Sequence, residues 1–254
     1  MYIATKLGDV LDEIVVVGGL VPSLLISSGP ETDTHVGTRD LDLGLQVAIL
    51  DAGRYQDLTA RLRQSGFSPD EKDGKQVSQR WQIDAGGQKV TVDFLIPPTK
   101  EKRQGGRLLN IEHDFAAIIT PGLELAFNDR IQISLSGDTI MGEKATRLVW
   151  VCGPGAFVVL KALAFRNRGE NKDAYDLYYV LRNYGADVSE VAGRVRSLRN
   201  DPSVDQALLI LLEDFAEMDS LGPRRVAEFL GDSSNEELLT NVVGYVQALL
   251  AALN

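Results

Sequence analysis

Two aspartates one residue apart, Asp40 and Asp42, stand in the run HVGTRDLDLGL. On an extended strand side chains alternate, so both carboxylates share one face while Leu41, Leu43 and Leu45 share the other. Two such charges about 4 Å apart repel by roughly 4 kcal/mol at an effective dielectric near 20, and a divalent cation held by both turns that repulsion into attraction. A third acid has similar surroundings. In KVTVDFLIPP, Val90, Val92, Phe94 and Ile96 share a face, leaving Asp93 beside Thr91 and Leu95 as a lone charge in an apolar strand. A charge in that setting seldom serves packing. Upstream, the apolar run Val15-Val16-Val17 ends in Gly18-Gly19. Without a Cβ these two let the backbone approach a phosphate, Pro22 suits the first turn of a following helix, and that helix N-terminus favours an anion.

The elements that must position these residues can be read from periodicity and punctuation. Leu7, Val10, Leu11 and Ile14 predict an amphipathic helix over residues 5 to 13, leading into a strand over 14 to 18. Residues 28 to 38 read as loop and 40 to 47 as the strand of the two aspartates. Asp51 is expected to cap a helix containing Tyr55, Leu58 and Leu62, which Gly66 ends. QVSQRWQID and KVTVDFLIP form a hairpin across residues 85 to 88. From 108 to 151, short apolar runs separated by Pro121-Gly122, Gly137-Asp138 and Gly142 predict short strands and loops. Pro154 then opens a helix to Arg168, followed by helices near 172–183, 188–199, 203–218, 223–230 and 234–253. The expected fold is α+β: a mixed sheet with helices over residues 1–150, then a helical bundle over 151–254.

The helical half carries a second group of charges. Ala174, Leu177, Tyr178 and Leu181 form a core face, which leaves Asp173 and Asp176 one turn apart on its flank. Lys161 sits among Leu160, Ala162, Leu163 and Ala164. It is either a snorkelling surface lysine or a phosphate ligand, and its removal is expected to leave stability nearly intact. Arg166, Arg168 and Lys172 form one basic cluster, and Lys100, Lys102, Arg103 and Arg107 another. The net charge of −10 makes a poor footprint for nonspecific nucleic-acid binding, so a nucleic-acid acceptor must rely on such local clusters, whose alternative reading is a solvated face. One cysteine, Cys152, and two histidines, His35 and His113, exclude an internal disulfide and a metal centre built from His and Cys. Oxygen ligands and Mg2+ remain. No apolar run approaches the roughly 20 residues of a membrane span, and the N-terminus has no signal-peptide pattern, so the expected location is cytoplasmic.

The Gly18-Gly19 turn, the Asp40-Leu41-Asp42 strand and Asp93 together resemble the DNA polymerase beta-like nucleotidyltransferase superfamily. With Lys161, Phe165 and Arg166 spaced as K-x3-F-R, and Lys172, Asp173 and Asp176 as K-D-x-x-D, the stretch from 14 to 183 resembles the AbiEii nucleotidyltransferase toxins, the MenT group among them. The resemblance implies transfer of a nucleotide from a nucleoside triphosphate to an acceptor, a tRNA 3′ end in some relatives, with a cognate antitoxin as partner. It places metal binding on Asp40, Asp42 and Asp93, with catalytic roles for these three and Asp176. Nucleotide or substrate binding falls on Gly18, Gly19, Arg39, Lys161, Arg166, Lys172 and Asp173. One departure concerns Gly19, which is often serine in the superfamily and here offers only its backbone. An N-terminal helix seen in larger relatives is expected to be missing.

Competing readings are a nucleotidyltransferase acting on a small molecule such as an aminoglycoside or lincosamide, which shares the carboxylates, and a noncatalytic binding module, against which the three acids argue. A dinucleotide-binding fold fails because Gly18-Gly19-Leu20-Val21-Pro22-Ser23 lacks G-x-G-x-x-G, and a serine hydrolase fails because no G-x-S-x-G occurs.

Overall fold

The computed structural model describes residues 1–27, 34–38, 40–46, 49, 53–85, 87–99 and 104–253. Arg39, Asp51, Lys100, Lys102 and Arg103 lie outside the described residues. The fold is mixed α/β with an open mixed sheet, and the chain divides into two compact units. One comprises Met1–Val21 and Gly37–Cys152, the other Pro22–Val36 and Gly153–Asn254.

In the first unit the expected N-terminal helix is split: α1 (Tyr2–Lys6) gives way to a 3-10 turn over Gly8–Glu13. The cause is local, since Gly8 takes φ +56, which interrupts helical geometry. Strand β1 (Ile14–Val17) pairs antiparallel with β2 (Asp40–Leu45), and Gly18–Leu20 form the turn that leaves β1. Helix α3 (Arg54–Gln64) buries Leu58 and Leu62 and ends before Gly66, while α2 (Val21–Leu25) begins at the junction with the other unit. The hairpin forms as expected, β4 (Lys75–Ala85) against β5 (Gln88–Ile96), with β3 (Ser68–Lys72) added on the outer edge of β4.

The region read as short strands contains two nine-residue strands besides β6 (Leu108–Asn110), β7 (Ala116–Ile119) and the short helix α4 (Leu125–Asn128). Strands β8 (Arg130–Asp138) and β9 (Lys144–Cys152) form a long antiparallel hairpin. The sheet order is β3-β4-β5-β2-β1-β9-β8, with β7 beside β5 and β6 beside β7. Parallel pairing of β2 with β5 brings Asp42 level with Asp93 and Asp40 level with Thr91. Leu43, Phe94, Ile96 and Trp81 are buried on the opposite side, where Phe115 meets Phe94 and Trp81 edge-on at 5.1 and 6.1 Å. Such aromatic burial anchors the acid-bearing strands from below.

In the second unit, helix boundaries follow the Pro and Gly punctuation. Helix α5 (Pro154–Arg168) starts with proline in its first turn and ends at Gly169, φ +67. It is followed by α6 (Asn171–Asn183), α7 (Val188–Ser197), α8 (Pro202–Phe215), α9 (Leu221–Leu230) and α10 (Glu236–Leu253). Asp187 and Asp201 cap α7 and α8 by accepting from the backbone N–H of Ser189 and Ser203. Helix α9 starts at Leu221, so Gly222-Pro223 occupy its first turn instead of preceding it. A Cβ on Gly155 would meet the backbone of Arg194 and Val195 at 2.8 Å, so α5 and α7 pack closely because residue 155 has no side chain. No described helix is long and apolar enough to cross a membrane.

Candidate active site

On the sheet unit the three aspartates lie on one face in two rows. Asp42, Asp93 and Arg80 are register partners across β2, β5 and β4, while Asp40, Thr91 and Gln82 form the neighbouring row. Exposure falls along β2, from exposed Asp40 through half-buried Asp42 to fully buried Leu45. Gly18 takes φ +72, and a Cβ built there would lie 1.8 Å from Asp42 Oδ2. Residue 18 must therefore lack a side chain for two reasons, its left-handed backbone and the space the Asp42 carboxylate occupies. Thr91 donates its hydroxyl to Asp40 Oδ1 at 2.5 Å.

Asp93 is buried and bidentately paired. Arg80 Nε donates to Oδ1 at 2.7 Å and Nη2 to Oδ2 at 2.5 Å. These bonds, together with the charges of Asp93, Asp40 and Asp70, raise the Arg80 pKa against the opposing effect of burial. Arg80 was not singled out from sequence. Its signal lay in the hairpin register, since counting back from the turn across residues 85 to 88 sets residue 80 opposite Asp93. Asp40 and Asp42 suit a hard divalent cation, since carboxylate oxygens on one strand face are the donors Mg2+ prefers. Asp93 has the right chemistry too, but both its oxygens are engaged by Arg80, and no cluster of three His, Cys, Asp or Glu side chains among the described residues is arranged to hold a metal.

The helical unit holds a second charged array. Lys161, 6% exposed on α5, donates to Asp173 Oδ1 at 2.9 Å and to Asp176 Oδ2 at 2.7 Å. Both aspartates, one turn apart beside the core face of α6 as expected, are buried. Arg168 grips Asp173 with two bonds of 2.6 and 2.7 Å, and Lys172 donates to Asp176 Oδ1 at 2.9 Å. Burial alone would raise both carboxyl pKa values. It is outweighed at Asp173 by the Arg168 hydrogen bond and the Lys161 charge, and at Asp176 by the His35 hydrogen bond and the two lysines, so both fall below 3.8. Burial pulls Lys161 down, and the charges of Asp176 and Asp173 more than restore it, leaving it above 10.5. The expectation that Lys161 can be removed with stability nearly intact is corrected by this placement, because its loss leaves two buried carboxylates short of a partner.

The basic cluster is similarly engaged. Arg166 bonds to Asp214 at 2.7 Å and Glu213 at 2.9 Å on α8, so it is not an open cation. Arg107 is exposed. His35, absent from the expected site residues, contacts Asp176 through Nε2 at 2.9 Å.

None of the curated proteins compared with the chain matches it. A family model described as nucleotidyl transferase AbiEii toxin, type IV toxin–antitoxin system, matches residues 12–250, a span that contains the β2 acids, Asp93, Lys161, Asp173 and Asp176. The chain therefore belongs to the AbiEii family of nucleotidyl transferase toxins, whose type IV toxin–antitoxin setting implies a nucleotide substrate and an antitoxin partner.

Proposed function

We propose that the protein is a divalent-metal-dependent nucleotidyltransferase that moves a nucleotide from a nucleoside triphosphate onto a hydroxyl of RNA, a tRNA 3′ end being the reference acceptor. The observation that carries the reading is the row of carboxylates on β2 and β5 set directly against the Gly18 turn. Asp40 and Asp42 would hold the metal. When bound, Mg2+ neutralises triphosphate charge and orients the pyrophosphate leaving group. The backbone at Gly18 and Gly19 offers N–H groups to phosphate oxygens, as turns that open a helix do. Asp93 is the candidate for taking the proton of the acceptor hydroxyl, and the two Arg80 hydrogen bonds fix its orientation. On the helical unit, Lys161 and Lys172 are proposed to supply positive charge to the triphosphate, with Asp173 and Asp176 as their present acceptors, and Arg166 and Arg168 are proposed to meet RNA phosphates after giving up their carboxylate partners.

A toxin must injure its own cell, which favours a macromolecular acceptor over an antibiotic. Among the described residues the paired state of Arg166 and Arg168 supports the small-molecule alternative, because an exchange of partners is needed before either meets phosphate. The test incubates the protein with Mg2+, each labelled nucleoside triphosphate and total cellular RNA, and in parallel with an aminoglycoside panel. Label in an RNA band, lost in Asp42→Asn, supports the proposal. Label entering only an aminoglycoside overturns the acceptor, and equal transfer by Asp42→Asn overturns the metal site.

A further inference from the structure

His35 is 9% exposed, its ring seated on α6 within the helical unit. It stacks on Tyr175 with centroids 5.4 Å apart and meets Tyr179 edge-on at 4.7 Å. Nε2 lies 2.9 Å from Asp176 Oδ1, and Nδ1 lies 3.2 Å from the hydroxyl of exposed Ser23. The next residue is tied twice to the same helix. Val36 N–H donates to the Tyr175 hydroxyl at 3.0 Å, and its carbonyl accepts from Lys172 Nζ at 2.8 Å. Lys172 therefore rests on two acceptors, Asp176 and the Val36 carbonyl, and His35 contacts one and immediately precedes the other.

Resting on the reading of Lys161 and Lys172 as triphosphate cations, we propose that His35 is a positioning residue that fixes both seats of Lys172. By donating Nε2–H it holds the Asp176 carboxylate on which Lys161 and Lys172 converge, and by packing on Tyr175 and Tyr179 it fixes the Val36 carbonyl. The ionised carboxylate only accepts, so Nε2 carries a proton, and the Ser23 hydroxyl rotates to suit whatever Nδ1 presents. The sequence Ser23, His35, Asp176 has the order of a nucleophile relay. Asp176 nevertheless already accepts from two lysines, which leaves little of its charge to stabilise an imidazolium formed during proton transfer. His35 thus acts through a fixed donor and a flat ring, and not through proton exchange. Glutamine, whose amide nitrogen extends to a similar distance, should replace the donor.

The test compares His35→Ala, His35→Gln and Tyr175→Phe by hydrogen exchange at the Val36 amide and by calorimetry with Mg2+ and each nucleoside triphosphate. Loss of one hydrogen bond to a charged group predicts about tenfold weaker nucleotide binding in His35→Ala, with faster Val36 exchange, whereas His35→Gln stays within about threefold of wild type. Tyr175→Phe should speed Val36 exchange without touching the Asp176 bonds. The pH profile of transfer should keep its shape in His35→Gln. Failure of the wild type to bind any nucleotide defeats the nucleotidyltransfer reading, and the exchange data still decide the His35 inference. Wild-type exchange in His35→Ala, or His35→Gln impaired as deeply as His35→Ala, overturns it.

Discussion

Replacing Lys161 by Met keeps the length and apolar stem of the side chain and removes the ammonium that joins Asp173 to Asp176. Breaking a buried ion pair typically costs about 3 to 5 kcal/mol, because a charge stays behind without its partner. Here Asp173 retains Arg168, and Asp176 retains His35 and Lys172, so the lower end, about 3 kcal/mol, is expected at neutral pH. For a chain of this size that corresponds to a fall in Tm of about 6 to 12 °C. In the wild type Asp173 and Asp176 have lowered pKa values, so their contribution is present above 3.8 and is lost as pH falls through the folded values. Lys161 is raised, so its contribution is present below 10.5 and is lost as pH rises beyond it. Between those limits the array stabilises the protein uniformly. In Lys161→Met each carboxylate is one cation short and takes up a proton more readily, and the gap to wild type should narrow as pH approaches 4. Denaturant melts of both proteins from pH 4 to pH 8 measure this directly. A difference below about 1 kcal/mol at pH 7, or one that stays constant down to pH 4, refutes the account of Lys161 as the bridge of a buried array.

Gly18→Ala should cost about 1 to 2 kcal/mol for the left-handed backbone, and should also displace the Asp42 carboxylate; urea melts and metal calorimetry check both, and wild-type metal affinity in the variant contradicts the crowding argument. Arg80→Gln releases Asp93, so Mg2+ binding without nucleotide should tighten, and unchanged affinity would show that Arg80 does not compete with a metal for that carboxylate. Asp201→Ala removes the cap of α8 and should lower stability by about 1 kcal/mol in denaturant melts, a loss that Asp201→Asn restores.

The helical half was legible because Pro154, Gly169, Pro202 and Gly231 punctuate strongly periodic segments, and backbone chemistry at those positions is local. The two-aspartate strand and the hairpin bearing Asp93 were legible through alternation. The β8 and β9 strands were legible as short apolar runs, but their nine-residue length was not, since exposed Leu148 beside half-buried Trp150 blurs the apolar-polar alternation. Strand β3, SPDEK, has the composition of a loop and becomes a strand only because β4 offers it an edge. Arg80 is defined by a partner across the hairpin, Asp93, 13 residues on, whereas His35 is defined by Asp176, 141 residues away, which no local pattern reaches.

Pro22–Val36 belong to the compact unit otherwise made of Gly153–Asn254, so their partners are synthesised long after them. At about 5 to 20 residues per second, a ribosome that has just made His35 needs roughly 7 to 28 s to reach Asp176, 141 residues later. Throughout that interval the Asp176 and Tyr179 partners of His35 are still unmade. A product halted near residue 152 would therefore carry Ser23, His35 and Val36 without the partners on α6 that they contact in the full chain. Translation, not only thermodynamics, thus sets the moment at which the Ser23, His35 and Val36 contacts come into being.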